Sequence, residues 1–155
     1  MPVSSVNANS LDDLLSRIHR ARQLPGWRRR LFAGQQMVDS LATVRALRAV
    51  EQHAGESGAS VRDVADYMAV EHSTASRTVA GLVSRGLLSK HSHENDQRRC
   101  VLALTETGRK ELRDITRRRH EMMAETVQEW SDRDVETLIE LLGRLSVDLE
   151  RDPSA

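Results

Sequence analysis

The stretch SVRDVADYMAVEHSTASRTVAGLVSRGLLSKHSHENDQRRCVLALT, residues 60–105, decides how this chain is read. Ser60 stands three residues before Asp63, the spacing of a reciprocal N-terminal helix cap. Val61, Val64, Ala65 and Met68 follow at helical spacing and predict a short helix with one apolar stripe. A tight turn is expected around Ala69 to Glu71. A second helix then carries Ala75, Val79, Leu82 and Val83 inward and ends at Gly86, the residue type that most easily adopts a left-handed helix end. Leu87-Leu88-Ser89-Lys90 reads as a strand, His93 to Gln97 as a turn, and Cys100-Val101-Leu102-Ala103-Leu104 as a returning strand. Together these predict a hairpin over Leu87 to Leu104.

The flanks read as helices. Leu11, Leu14, Leu15 and Ile18 have the three- and four-residue spacing of an apolar face, which Pro25-Gly26 should end or kink. Residues 1–10 are polar and without period, so they are expected to be frayed. Trp27, Leu31 and Phe32 continue an apolar pattern toward Met37. Asp39 or Ser40 is placed to cap a helix bearing Leu41, Val44, Leu47, Ala49 and Val50. After the hairpin, Thr105 is placed to cap a long helix from about Glu106, with Leu112, Ile115, Met122, Met123, Thr126, Val127 and Trp130 on its less polar face. Ser131 or Asp132 starts a last helix with Val135, Leu138, Ile139, Leu142, Leu145 and Leu149 on one side. The expected fold class is mainly α with a small β-hairpin wing: a winged helix-turn-helix between N- and C-terminal helices.

Composition supports this class. The 155 residues are 39% hydrophobic but only 3% aromatic, so the core is aliphatic, which suits helices better than a sheet-rich fold. Formal net charge is zero, so any nucleic-acid footprint has to be local. From His72 to Arg99 there are five basic residues, Arg77, Arg85, Lys90, Arg98 and Arg99, against Glu94 and Asp96, a net of +3. The N-terminus shows no basic region followed by an apolar run, and no stretch approaches the roughly 18 apolar residues of a membrane span. Cys100 is alone, so no intrachain disulfide forms. The natural expectation is a soluble, cytoplasmic protein.

Function is expected to sit on the second helix of the opening stretch. His72, Ser73, Ser76, Arg77 and Ala80 recur on the side opposite its apolar stripe, with Thr74 beside them. Small hydroxyl side chains permit close approach to DNA, and an arginine can reach a guanine edge or hold a phosphate. An ordinary solvated face is the alternative reading. Arg98 and Arg99 follow the hairpin turn, where an extended basic tip can enter or flank the minor groove, and Asp96 is spaced to orient Arg98. Other chemistry finds little support. His91 and His93 lack a clear third metal ligand. There is no Gly-rich phosphate loop, paired catalytic carboxylate or nucleophile motif. No cofactor and no enzymatic activity are expected.

Residues from about Leu41 to Gly108 resemble the MarR family of bacterial winged-helix regulators. The resemblance rests on Ser60-Val61-Arg62-Asp63-Val64-Ala65, on His72-Ser73-Thr74-Ala75-Ser76-Arg77-Thr78-Val79 and on Leu82-Val83-Ser84-Arg85-Gly86-Leu87-Leu88. Its most specific piece is Asp96-Gln97-Arg98-Arg99 followed by Leu102-Ala103-Leu104-Thr105-Glu106-Thr107-Gly108. The outer helices resemble the family in placement and pattern only.

The resemblance implies a transcriptional regulator, typically a repressor, binding a pseudo-palindromic double-stranded DNA operator as a homodimer. Ser73, Thr74, Ser76 and Arg77 would be recognition-helix contacts, Arg98 the minor-groove arginine oriented by Asp96, and Arg99 its neighbour on the wing. The expected organisation is a flexible N-terminus over 1–10, an N-terminal dimerisation segment over 11–37, a DNA-binding lobe over 38–108, C-terminal dimerisation helices over 109–150 and a flexible tail over 151–155. A small aromatic or phenolic effector is a further implication, with His19, Trp27 and Phe32 as candidate lining, although Trp27 and Phe32 read first as core or interface residues. Two features depart from the family pattern: Glu71, where members often carry Ser or Thr, and the Pro25-Gly26 interruption. The competing function is a winged-helix protein-interaction module without specific DNA binding.

Overall fold

Among the described residues, seven helices and one hairpin follow in the order α1 (Ser5–Gln23), α2 (Pro25–Leu31), α3 (Leu41–Gln52), α4 (Val61–Met68), α5 (His72–Ser84), β1 (Leu88–His93), β2 (Asp96–Leu104), α6 (Glu106–Thr126) and α7 (Asp132–Glu150). This computed structural model describes residues 4–55, 58–93 and 96–151, excluding the side chains of 93–99. The chain divides into two compact units, Met1–Arg118 and Arg119–Ala155.

Each helix start has a local cause. Ser4 accepts a hydrogen bond from the Asn7 amide, so residues 5–10, expected to be frayed, form the first turns of α1. Their polarity hid a helix that needs only a cap and no buried face to begin. Leu24 separates α1 from α2, and Pro25 occupies the first turn of α2, where its missing N–H costs nothing. Ser40, rather than Asp39, caps α3 by accepting from Thr43 N at 3.2 Å. Ser60 and Asp63 form the expected reciprocal cap of α4: Ser60 N donates to Asp63 Oδ2 at 2.7 Å, and Asp63 N to Ser60 Oγ at 3.2 Å. α6 ends at Thr126, four residues before Trp130. Ser131 caps α7 through the Asp134 amide.

The first unit's core is aliphatic. Ala46, Leu47, Ala49 and Val50 of α3 are fully buried, together with Val64 of α4, Ala75 and Leu82 of α5, Leu87, and Leu102 of β2. Two alanines on the buried face of α3 let α4 and α5 approach it closely, and α5 in turn packs on β1. Burying each Leu or Val contributes roughly 1.5–3 kcal/mol. Arg45 adds a polar tie, donating from Nη2 to the Met68 carbonyl at the end of α4, 2.8 Å away.

The hairpin is antiparallel, pairing Leu88 with Leu104 through Ser92 with Cys100 and bulging between Ser92 and His93. Its strands are longer than the hydrophobic pattern indicated, because backbone pairing continues past the last apolar residue. Leu102 N also donates to Ala59 O at 2.7 Å, so the segment before α4 adds a third strand-like contact to the wing.

The turn between α4 and α5 has an uncommon residue at its centre. Val70 N bonds to Ala65 O and Ala69 N to Asp66 O, the paired bonds of a helix end that reverses through a left-handed residue. That residue is Ala69, with φ 53° and ψ 50°. A Cβ in this region costs roughly 1–2 kcal/mol, against about 0.5–1 for the extra freedom glycine loses on folding. Ala69→Gly should therefore stabilise the protein by roughly 0.5–1 kcal/mol, seen as a higher urea midpoint at unchanged slope.

Candidate nucleic-acid interface

On α5 one stripe is buried and one is bare. Ala75, Val79 and Leu82 are at most 3% exposed. Opposite them Ser73, Arg77, Ala80 and Ser84 repeat at four-, three- and four-residue spacing, all exposed, with Thr74 and Ser76 alongside. Thr78 and Ser84 spend their hydroxyls on the backbone, donating to Thr74 O at 3.0 Å and Gly81 O at 2.9 Å. Among the described residues, the hydroxyls of Ser73, Thr74 and Ser76 and the guanidinium of Arg77 have no such commitment. Ala80 and Gly81 present almost no side chain, so the helix backbone can come close to an opposing surface. Three hydroxyls and one cation around a small-residue centre make a face suited to polar edges and anionic oxygens.

The far end of α5 is held by three devices. Gly86, with φ +71°, closes the helix while Leu87 N bonds to Leu82 O and Gly86 N to Val83 O. Thr105 Oγ1 donates to Gly86 O at 2.6 Å, Thr105 N donates to Leu87 O at 3.1 Å, and Gly108 N donates back to Thr105 Oγ1 at 3.0 Å. One threonine thus caps α6 and ties its start to the end of α5. Gly108 lies so close to Leu87 that a Cβ there would sit on the Leu87 carbonyl oxygen. Arg85 is the third device. Its Nη1 donates to Met37 O at 2.9 Å, its Nη2 to Thr43 Oγ1 at 3.3 Å and its Nε to Gly81 O at 3.4 Å, and it pairs with Asp39 at 3.7 Å.

Arg85 corrects the charge footprint read from the sequence. It was counted among the five basic residues of that segment, but its donors are committed to the segment preceding α3 and to Thr43. The sequence signal for this is its place immediately before the helix-ending Gly86, where an arginine meets the last carbonyls. Gly108 and Arg45 were also missed as structural residues, since close approach and a distant carbonyl leave no local sequence pattern.

The other predicted residues fall as follows. Lys90 is exposed on β1. The side chains of Asp96, Arg98 and Arg99 lie outside those described. Cys100 is half-buried on β2, and His91 Nε2 contacts Ser89 Oγ at 2.8 Å. Below the wing, Glu106 is held below the ordinary carboxylate range, first by its hydrogen bond with Arg109 and then by that with Arg113. That pairing is present at neutral pH and is lost as pH falls through the lowered value. Its full exposure makes the effect on stability slight.

The candidate effector residues are not brought together. Phe32 lines an open recess of about 440 Å³ with Pro25, Arg28, Arg29, Gln35, Gln36, Val38 and Asp39. Trp27 does not line it; its ring instead lies 5.4 Å from the Arg22 guanidinium. His19 is exposed on α1 and lines no part of the recess either. No helix among the described residues is long and apolar enough to cross a membrane.

Comparison with known proteins agrees with this geometry. The model of the MarR family matches residues 40–99, from the cap of α3 to the basic pair of the wing. A MarR family protein from Bacillus stearothermophilus superposes with a TM-score of 0.82 at 18% identity, covering 97% of this chain and all of the other. A MarR family transcriptional regulator from Silicibacter pomeroyi is 28% identical with a TM-score of 0.66, covering 92% of this chain and 90% of that one. An uncharacterised HTH-type transcriptional regulator of Bacillus subtilis, YxaD, is 30% identical over 88 residues. That match spans 57% of this chain and 62% of the relative's length. The chain has the winged helix-turn-helix fold of the MarR family.

Arg85→Lys should lower stability nearly as much as Arg85→Ala, by about 1–2 kcal/mol. A single ammonium cannot span the Met37, Thr43 and Gly81 oxygens together. Chemical denaturation of the two variants checks this.

Proposed function

We propose that this protein is a sequence-specific DNA-binding transcriptional regulator, acting as a repressor that binds a pseudo-palindromic operator as a homodimer. The observation that carries the reading is the outward face of α5, whose Ser73, Thr74, Ser76 and Arg77 side chains are exposed and uncommitted. A helix fits the major groove, where base edges are distinguishable, and Arg77 supplies a bidentate donor for guanine or a grip on phosphate. By the family resemblance Arg98, with Asp96 to orient it, would extend the contact into the minor groove, with Arg99 beside it on the wing. The wing assignment rests on their position in the sequence.

Uncovered apolar surface on α1 and on α7 supports the dimer. Neither α1 nor α7 contains a buried residue. Leu11, Leu14 and Ile18 are about half exposed on α1, as are Leu142 and, more fully, Ile139 on α7. Exposed apolar side chains repeated along one face of a helix mark an interaction site. A two-fold dimer would cover it and place two recognition helices on two half-sites. The Phe32 recess, with Arg28 and Arg29 at its wall, is the best-placed site for a small aromatic acid that shifts the equilibrium between DNA-binding and non-binding conformations.

The competing reading, a winged module that contacts protein alone, is favoured by no particular observation here. Selection of bound duplexes from a random library separates the two: the DNA reading expects an enriched motif with two-fold symmetry, the protein-contact reading expects none. Arg77→Ala should reduce affinity for the selected site by roughly thirtyfold or more, about 1–3 kcal/mol at each of the two half-sites, and relax preference at one position of each half-site. Unchanged affinity in a titration at fixed salt contradicts the assignment. A monomer by light scattering contradicts the dimer.

A further inference from the structure

An acidic residue stands at the head of the helix proposed to read DNA, where the helix dipole favours a negative charge but no hydrogen bond holds the side chain. Glu71 is the N-cap residue of α5, yet its side chain makes no capping hydrogen bond. Ser4, Ser40, Ser60 and Ser131 all cap their helices through their side chains; Glu71 has a polar side chain at the same position and does not, and Leu24 of α2 has none to offer. Glu71 contributes to its helix through its backbone, its carbonyl accepting from Thr74 N at 3.0 Å and Ala75 N at 3.1 Å. Its carboxylate is exposed and has neither hydrogen bond nor ion pair among the described residues. It opens with Thr74 onto one recess in front of the α4–α5 turn, so it shares a side with a residue of the reading face.

The N-terminal residues of a recognition helix are the ones that reach base edges. A carboxylate brought there must find a donor, because it accepts only and would otherwise be desolvated beside phosphates. Guanine presents two acceptors in the major groove and thymine an acceptor and a methyl group, so both repel it. Adenine and cytosine each present an amino donor. In adenine the N7 acceptor lies beside that amine and opposes the second carboxylate oxygen. Cytosine has a C–H edge there instead.

We infer that Glu71 is a specificity-determining residue whose carboxylate accepts a hydrogen bond from the amino group of one cytosine in each half-site. The inference rests on the DNA-binding reading above. It turns the unfavourable acid into a selector: binding to sequences without that cytosine is penalised, and binding to those with it is restored.

The test is duplex selection with the full chain in three forms run in parallel: unmodified, Glu71→Gln and Glu71→Ala. Position 71 is exposed, so neither substitution disturbs the core. The unmodified chain should enrich a motif with one cytosine per half-site, preferred about tenfold over other bases. Glu71→Gln should convert that position to adenine, because an amide pairs with both the adenine amine and N7. Glu71→Ala should equalise the four bases there, with the rest of the motif unchanged. If all three forms enrich the same motif and the variants simply bind every sequence more tightly by one common factor, Glu71 only repels phosphate and the inference is overturned. If the unmodified chain enriches no motif, the DNA-binding reading itself fails and takes this one with it.

Discussion

The exposed polar face of α5 depends on one junction, where the end of α5, the first wing strand and the start of α6 meet at Gly86 and Leu87. A left-handed glycine releases the chain from the helix, and the Thr105 hydroxyl accepts from the Gly108 amide while donating to the Gly86 carbonyl. Gly108 lets the α6 backbone lie against Leu87 with nothing between. Arg85, one residue earlier, reaches back to Met37 and Thr43. The C-terminal end of α5 is therefore fixed from two directions. Its N-terminal two-thirds carries the exposed polar stripe, and its side-chain groups there are spent on almost nothing within the protein. A rigid base and an uncommitted face are what precise docking against a groove requires.

Polar commitments divide the basic residues in the same way. Arg45 bonds the Met68 carbonyl at the end of α4 and Arg85 the Met37 carbonyl in the segment before α3, and both hold elements together. Arg77 and Lys90 point outward without such duties. The neutral total charge conceals this division, since acids and bases on α6 pair with one another, as Lys110 and Asp114 do at 3.0 Å. Attraction to a polyanion comes from where uncommitted cations stand, rather than from their sum.

Much of this was legible in the sequence. The Ser60–Asp63 cap, the apolar stripe of α4, the helix-ending Gly86 and the hairpin between Leu87 and Leu104 each have a local pattern with a local cause. The resemblance of Asp96 to Gly108 to a known family pointed the same way. What escaped detection was non-local. The carbonyls that Arg85 and Arg45 reach lie 48 and 23 residues away, and the contact of Gly108 with Leu87 joins two elements. The start of α1 at Ser5 escaped because a polar, exposed helix has no hydrophobic period. The grouping of His19, Trp27 and Phe32 did not hold as one cavity, because aromatic content alone says nothing about which way rings on separate turns face.

The central claim is that the α5 face and the wing bind DNA through phosphates as well as bases. Titrating fluorescently labelled duplex with the full chain at several salt concentrations tests it most directly. Each phosphate contact releases counterions, so with Arg77, Lys90 and the wing arginines engaged on both protomers, affinity should fall steeply with salt. A log–log slope of about −4 or steeper is expected. A slope near zero, or no saturable binding at low salt, would contradict the account.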